Sequence, residues 1–135
     1  MIEHLDRFKE AEHIYRKVIA MRMRVLGPAH SETLVAQHNL SNCLRGQERP
    51  AKAASIMREV VAGRTETFGA SSDEVIRTRH ELACALAHSK QYPEAADELR
   101  ATMAVARIAL PSGHQTRKTI SRTLSKILPR ANGLK

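Results

Sequence analysis

Three side chains that are able to bind a metal ion recur at helical spacing in the second half of the chain. His80, Cys84 and His88 are each four residues apart, so on a helix they would share one face. Imidazole and thiolate groups in such a pattern are typical zinc ligands. The outer two, however, lie about 12 Å apart along a helix axis, which is too far for one ion. A two-residue chelate aided by His38 is the remaining metal alternative, and we expect neither a metal site nor a cofactor.

Patterns that would indicate catalysis are missing from the sequence. It contains no glycine-rich phosphate loop, no serine nucleophile motif and no carboxylate pair typical of a hydrolytic cleft. Cys43 and Cys84 stand singly without C-x-x-C spacing, which favours reduced, buried thiols over a redox pair. We therefore expect a protein that is not an enzyme.

Basic residues are concentrated at one end of the chain. Residues 99–135 carry no acidic side chain, whereas residues 1–98 carry equal numbers of acidic and basic ones, so the whole formal net charge of +8 lies in the last third. Such a segment suits an acidic peptide, a nucleic acid or an anionic surface, or it keeps a helix end solvated. Its basic residues are Arg100, Arg107, Arg117, Lys118, Arg122, Lys126, Arg130 and Lys135.

The composition predicts helices as the elements that position these side chains. The chain is 42% hydrophobic but has two Phe, two Tyr and no Trp, and strand-forming runs of β-branched and aromatic residues are absent. No apolar run approaches the roughly 18 residues of a membrane span. The opening MIEHLDRFKE carries acids where a signal peptide is basic and then apolar. We expect an all-α protein located in the cytoplasm.

Two stretches of the sequence resemble each other at an offset of 42 residues, VLGPAHSETLVAQHNLSNCL at 25–44 and TFGASSDEVIRTRHELACAL at 67–86. The offset continues into a third copy, and it aligns apolar residues of similar size. The aligned sets are Ala11, Ala53 and Ala95; Leu26, Phe68 and Leu110; Leu40, Leu82 and Leu124; and Leu44, Leu86 and Leu128. Tandem helix pairs are predicted, with the small alanines allowing two helices to approach closely.

Apolar periodicity predicts helices over 3–26, 32–45, 51–68, 73–89, 93–109 and 115–128. Ser31 is the expected N-cap of the second helix, and Ser71 with Glu74 has the pattern of a capping box for the fourth. The second helix is expected to bury Ala36, Leu40, Cys43 and Leu44. The first is expected to bury a stripe made of Leu5, Phe8, Ala11, Tyr15, Val18, Ile19 and Leu26.

The arrangement resembles tetratricopeptide repeats, in the long form found in kinesin light chains. The resemblance is carried by Leu26-Gly27 and His30, then Asn39-Leu40 and Leu44, and by Ala53 after a short turn. It implies a right-handed α-solenoid of about six helices in antiparallel pairs. The single domain 1–135 would hold a half repeat at 3–27, repeats at 31–69 and 72–111, and a terminal helix with a basic tail at 113–135. HEAT, armadillo and pentatricopeptide repeats fit the sequence less well.

In the family that this chain resembles, the first helix of each pair lines a concave groove that holds extended peptides. The resemblance therefore implies a protein interaction scaffold that binds a peptide or partner segment. Because arginine recognises carboxylates in a bidentate manner, the segment is expected to be acidic. The predicted groove residues are His38, Asn39, Asn42, Arg45, Arg77, His80, Glu81, Arg122 and Lys126, with Val35, Cys84, His88, Thr119 and Thr123 beside them.

Two alternatives to peptide binding remain open. Residues 99–135 could bind a polyanion, either an anionic surface or, as the weaker alternative, a nucleic acid. The first helix corresponds to the second half of a pair, so its apolar side needs a cover. This N-terminal helix would then join copies of the chain into a homo-oligomer, or join the chain to further repeats of a larger parent protein.

Overall fold

The fold consists of six α-helices and no strand within residues 2–133, the part of the chain that the computed structural model describes, with side chains from residue 6 onward. The all-α prediction is confirmed, and every helix end lies within three residues of its predicted position. Leu5 and Lys135 fall outside the described side chains. The helices are α1 (Ile2–Leu26), α2 (Ser31–Gly46), α3 (Pro50–Phe68), α4 (Asp73–His88), α5 (Tyr92–Ala109) and α6 (Gln115–Ala131).

One capping position recurs every 42 residues, at the starts of α2, α4 and α6. The capping residue has an extended backbone, and its side chain accepts a hydrogen bond from an amide that the first helical turn leaves unpaired. The bonds join His30 Nδ1 to the Glu32 amide (3.1 Å), Ser72 Oγ to the Glu74 amide (3.2 Å) and His114 Nδ1 to the Thr116 amide (3.1 Å). The histidine that marks the repeat is therefore a capping residue.

Both caps predicted from the sequence are wrong by one residue. Ser31 is the first residue of α2, and Ser71 precedes the cap of α4. Each site offers two neighbouring acceptors, His30-Ser31 and Ser71-Ser72, and serine is the more common cap by residue type. Of these four candidates, only His30 and Ser72 are 42 residues apart, which is the offset of the repeat.

Residues 1–67 form one compact unit, in which α1 and α3 both contact α2. Its core contains Ile19, Ala36, Leu40, Leu44 and Ala53, so the predicted inward face of α2 is confirmed. Helices α2 and α3 approach so closely that a Cβ on Gly63 would lie 2.7 Å from Leu34 Cδ2, and Ser41 Oγ donates to the Ala53 carbonyl at 3.1 Å. The predicted close approach at the alanine position is thus observed.

Leu26 does not belong to the buried stripe of α1, as the periodicity predicted. Its side chain is 38% exposed, and Phe68, at the equivalent position of the next copy, is 47% exposed. Each is the last residue of its helix, next to a glycine with positive φ (Gly27 at +93° and Gly69 at +88°). The helical period ends there, so the apolar pattern no longer indicates which side is buried.

Residues 68–135 form the second unit, in which α5 packs against both α4 and α6 and is tied to α4 by an ion pair of Arg79 with Glu98 at 2.8 Å. Its turn before α6 differs from the earlier copies. Pro111 stands where those copies have glycine, and the proline ring cannot adopt positive φ. As a result α5 ends one residue early, Leu110 is extended, and the positive φ moves to Gly113.

Candidate functional site

A cavity of about 220 Å³ lies between α4 and the first turns of α6, within residues 68–135. Three of the predicted groove residues, Arg77, His80 and Glu81, line it from α4, because spacings of three and four place them on one helix face. From α6 it is lined by Gln115, Thr116 and Thr119. We call this space the α4–α6 cavity.

Two hydrogen bonds hold α4 and α6 together around this cavity. At the start of both helices, Thr116 Oγ1 donates to Asp73 Oδ1 at 2.8 Å. Further along, His80 Nε2 lies 2.8 Å from Thr123 Oγ1. Both contacts join α4 to α6, and they lie two helical turns apart. Together they fix the distance between the two helices, and therefore the width of the cavity.

His80 is neutral, and its tautomer follows from its neighbours. Thr123 Oγ1 lies 3.0 Å from the Thr119 carbonyl, and when its hydroxyl proton is donated there, Thr123 Oγ1 accepts from His80 Nε2–H. Burial lowers the pKa of His80, an effect that the nearby Glu81 carboxylate partly opposes. The ring therefore contributes a hydrogen-bond donor to the wall of the cavity and no charge at neutral pH.

The cavity carries one cation and one anion. Arg77 pairs loosely with Asp73 at 3.5 Å, and its side chain is 65% exposed, so the guanidinium remains accessible to a ligand. Glu81 is half-buried on the adjacent wall. A volume of about 220 Å³ is below the roughly 300 Å³ at which small-molecule pockets begin. The cavity is of the size to receive one side chain of a partner.

Cys84 lies beside His80, with its Sγ 3.8–3.9 Å from the two ring nitrogens. Because burial lowers the pKa of His80, its imidazole is a weaker base towards the Cys84 thiol than an exposed imidazole would be. In the described part of the chain, three or more His, Cys, Asp or Glu side chains are nowhere grouped around a point that could hold a metal ion. Neither Cys43, which is buried, nor Cys84, which is half-buried, forms a disulfide.

The remaining predicted groove residues lie outside the α4–α6 cavity. On α2, Asn39 and Arg45 are half-buried and Asn42 is exposed, while His38 Nδ1 lies 3.3 Å from Arg64 of α3. Lys126 is exposed on α6. Their assignment to a groove stays a prediction.

Arg122, also predicted to line the groove, borders a second depression, between α5 and α6, which we call the α5–α6 cleft. Its basic neighbours there were recognised in the sequence only as members of a charged segment. Those neighbours are Arg107, Arg117 and Lys118.

Two cavity residues, Gln115 and Thr116, were not predicted from the sequence. The resemblance assigns groove positions to the middle of each first helix, and these two lie in the first turn of α6. Helical spacing was the available signal, because Gln115, Thr119 and Thr123 follow one another at intervals of four. Among the described residues, no helix has the length and apolar character needed to span a membrane.

Comparison with known proteins places the chain among helical repeats. Family models of the tetratricopeptide repeat match residues 1–66 and 75–116. Two crystal structures of a protein from Podosopora anserina, named as a kinesin light chain with nearly identical TPR-like repeats, are each 25% identical over 97% of this chain, with TM-scores of 0.80 and 0.79. The matches span 62% and 63% of those chains, which are therefore longer. No curated protein sequence matches. The predicted fold class, an all-α solenoid of antiparallel helix pairs, is confirmed.

Proposed function

Because the chain belongs to the tetratricopeptide repeat family, in its kinesin-light-chain-like form, we propose that it is a non-catalytic scaffold that holds an acidic segment of a partner protein against α4 and α6. Repeats of this family are in general modules of protein–protein interaction. What is proposed beyond that is the place of binding, the acidic character of the partner and a cytoplasmic location.

The observation that carries the proposal is the α4–α6 cavity. Arg77 offers an exposed guanidinium at its rim, which can bind a carboxylate through two parallel hydrogen bonds. Glu81 supplies an acceptor on the same wall, so a run of several carboxylates would be repelled. The segment that fits best has one acidic side chain at Arg77 and a hydrogen-bond donor next to it.

The α2 residues are proposed to contact the same kind of segment. Asn42 is exposed, and Asn39 and Arg45 keep part of their surface accessible. An asparagine amide can donate to and accept from a peptide backbone at once, whatever the peptide sequence. We propose that these side chains hold the backbone of a bound segment.

The test is the binding of a fluorescein-labelled pool of acidic peptides, followed by fluorescence anisotropy at low and at physiological salt. Arg77→Ala should weaken binding about three- to tenfold, the loss of one solvent-accessible charged hydrogen bond. Arg100→Ala is the matched control, because Arg100 is also an exposed helical arginine paired with an aspartate, Asp97 at 3.3 Å, and does not line the cavity. Equal losses in the two variants, or no saturable binding, would refute the proposal.

Self-association through α1 is the second candidate. Ile14, Met21 and Val25, at spacings of seven and four, are 58%, 49% and 70% exposed and form an apolar stripe on that helix. The positions equivalent to Ile14 and Met21 in α3 are Ile56 and Gly63, and Gly63 is where α2 packs. A helix of a second copy, or of a longer array, fits this stripe. If the apparent molecular mass rises with protein concentration, and if the variant Met21→Glu stays at the mass of a monomer, self-association of two copies through α1 would be supported.

A further inference from the structure

The α5–α6 cleft gathers half of the basic residues of the last third of the chain into one place. It has a volume of about 430 Å³ and is lined by Arg107 from α5 and by Arg117, Lys118 and Arg122 from α6, together with Met103, Gly113 and Ser121. Arg117 is held at the turn by its NH1 group, which donates to the Leu110 carbonyl at 3.3 Å. The other three cations project from exposed helix positions.

These four cations lack the carboxylate partners that arginines have elsewhere in the described chain. Arg16 and Arg49 pair with Glu12, Arg79 pairs with Glu98, and Arg100 pairs with Asp97. Within residues 2–133 no ion pair involves a cation of the cleft, and residues 99–135 contain no acidic side chain at all. Four unneutralised positive charges at the mouth of one depression create a strong local attraction for anions.

The cleft lies on the face of α6 that corresponds to a covered face in the earlier copies. Lys118 aligns with Leu34 and Ile76, which are 2% and 0% exposed. Leu34 is covered by α3. Gln37, the next position along that face of α2, donates through Nε2 to the carboxylate of Glu59 on α3 at 3.5 Å. In α6 this face is instead polar and exposed. A lysine at a position built for leucine has no packing role, so its charge is available to a ligand.

The chemistry of the lining indicates which anion fits. The cleft contains no aromatic side chain on which a base could stack, and its one large apolar residue is Met103. Single-stranded nucleic acids are generally held by aromatic platforms along an extended basic path, and the lining of this open depression offers no such platform. Two neighbouring phosphate groups carry about the charge that four cations can neutralise, and arginine binds phosphate oxygens in pairs.

We propose that the α5–α6 cleft is a binding site for a compact anion with two adjacent phosphate groups, either free in solution or as the headgroup of a lipid. Arg107, Arg117, Lys118 and Arg122 surround the phosphates, and Gly113 lets the ligand approach the amino-terminal end of α6, where the helix dipole adds positive potential. The site is separate from the α4–α6 cavity, with which it shares no lining residue.

The test uses inorganic pyrophosphate as the probe, with binding measured by isothermal titration calorimetry on the full chain. The variant Lys118→Gln/Arg122→Gln removes two exposed cations from the cleft while keeping good helix formers, so the fold should persist. It should weaken pyrophosphate binding at least tenfold. The matched control Arg100→Gln/Lys126→Gln removes the same charge from outside the cleft and should change affinity less than twofold. No binding at millimolar pyrophosphate, or equal losses in the two variants, would overturn the proposal.

Three further arms separate the sources of the anion and the two proposals. The first arm uses vesicles that contain phosphatidylinositol bisphosphate. A lipid headgroup would be supported as the source if the wild-type chain binds these vesicles, the variant Lys118→Gln/Arg122→Gln does not, and pyrophosphate displaces the wild-type chain from them. Single-stranded RNA that binds more tightly than pyrophosphate and depends equally on Arg100 and Lys126 would overturn the compact site in favour of a diffuse basic surface. If peptide affinity falls in Arg77→Ala but is unchanged in Lys118→Gln/Arg122→Gln, the α4–α6 cavity and the α5–α6 cleft bind their ligands independently of each other.

Discussion

Replacing Thr123 by valine should destabilise the chain, because it removes the acceptor for His80 Nε2–H. Valine has the same shape as threonine and a similar helix propensity, so the backbone and packing of α6 are preserved. A buried donor left without a partner costs about 1–3 kcal/mol. Since His80 is half-buried, water can recover part of this loss, and we expect about 1 kcal/mol. With a urea m-value of about 1–3 kcal/mol/M, the unfolding midpoint should fall by about 0.3–1 M.

The matched control is Thr119→Val, one turn earlier on the same helix. Thr119 is also half-buried and also donates to the carbonyl four residues before it, at 3.0 Å, but the bond that it accepts is an exposed one, from Gln115 Nε2 at 3.4 Å. Its replacement should change the free energy of unfolding by no more than about 0.5 kcal/mol. Urea unfolding followed by circular dichroism measures both variants. Equal losses, or a double-mutant cycle with His80→Leu that shows no coupling between His80 and Thr123, would refute the inferred hydrogen bond.

Two further predictions concern pH and backbone strain. The unfolding free energy should decrease as pH falls through 6.5, since burial lowers the pKa of His80 in the folded chain and the unfolded chain binds that proton more tightly. His80→Gln should flatten this pH dependence, and an unchanged slope would contradict the assignment. Lys90 has a φ of +66°, so Lys90→Gly should raise the unfolding free energy by about 1 kcal/mol, whereas Ala104→Gly, at an exposed interior position of α5, should lower it by about as much. Thermal unfolding of the two glycine variants checks the opposite signs.

The helices were predictable because their apolar residues repeat with the helical period and because the 42-residue offset aligns turns as well as cores. The same offset would have identified His30 as a cap, had the rarity of histidine at that position not favoured Ser31. Cavity residues were harder to predict. Whether Arg122 faces α4 or α5 depends on how α6 is rotated against its neighbours, and its spacing from Thr119 is compatible with either side.

Charge pairing was also beyond the reach of the sequence. Counting residues shows where basic side chains are concentrated, but an arginine next to an aspartate in sequence need not be near one in space. Glu12 shows this clearly, since it accepts from Arg16 on its own helix and from Gln47 and Arg49, which follow α2. The hydrogen bond from Gln47, together with the hydrogen bond from Arg16 and the positive charges of Arg49 and Arg16, lowers the pKa of Glu12 against the opposing effect of burial. Three donors converge on one carboxylate across a turn that periodicity alone cannot orient.

Lys118 also determines which helices could join this array. A helix that packs on Leu34 or Ile76 needs only an apolar surface of the right shape, so many sequences would serve. A helix that packs over Lys118 would have to take an ammonium group out of water, which costs several kcal/mol unless a carboxylate accompanies it. The first two copies are therefore tolerant of their neighbour, and the third is selective. In repeat proteins that grow by duplication, a single lysine at this position makes the interface between neighbouring repeats selective for a helix that carries a carboxylate.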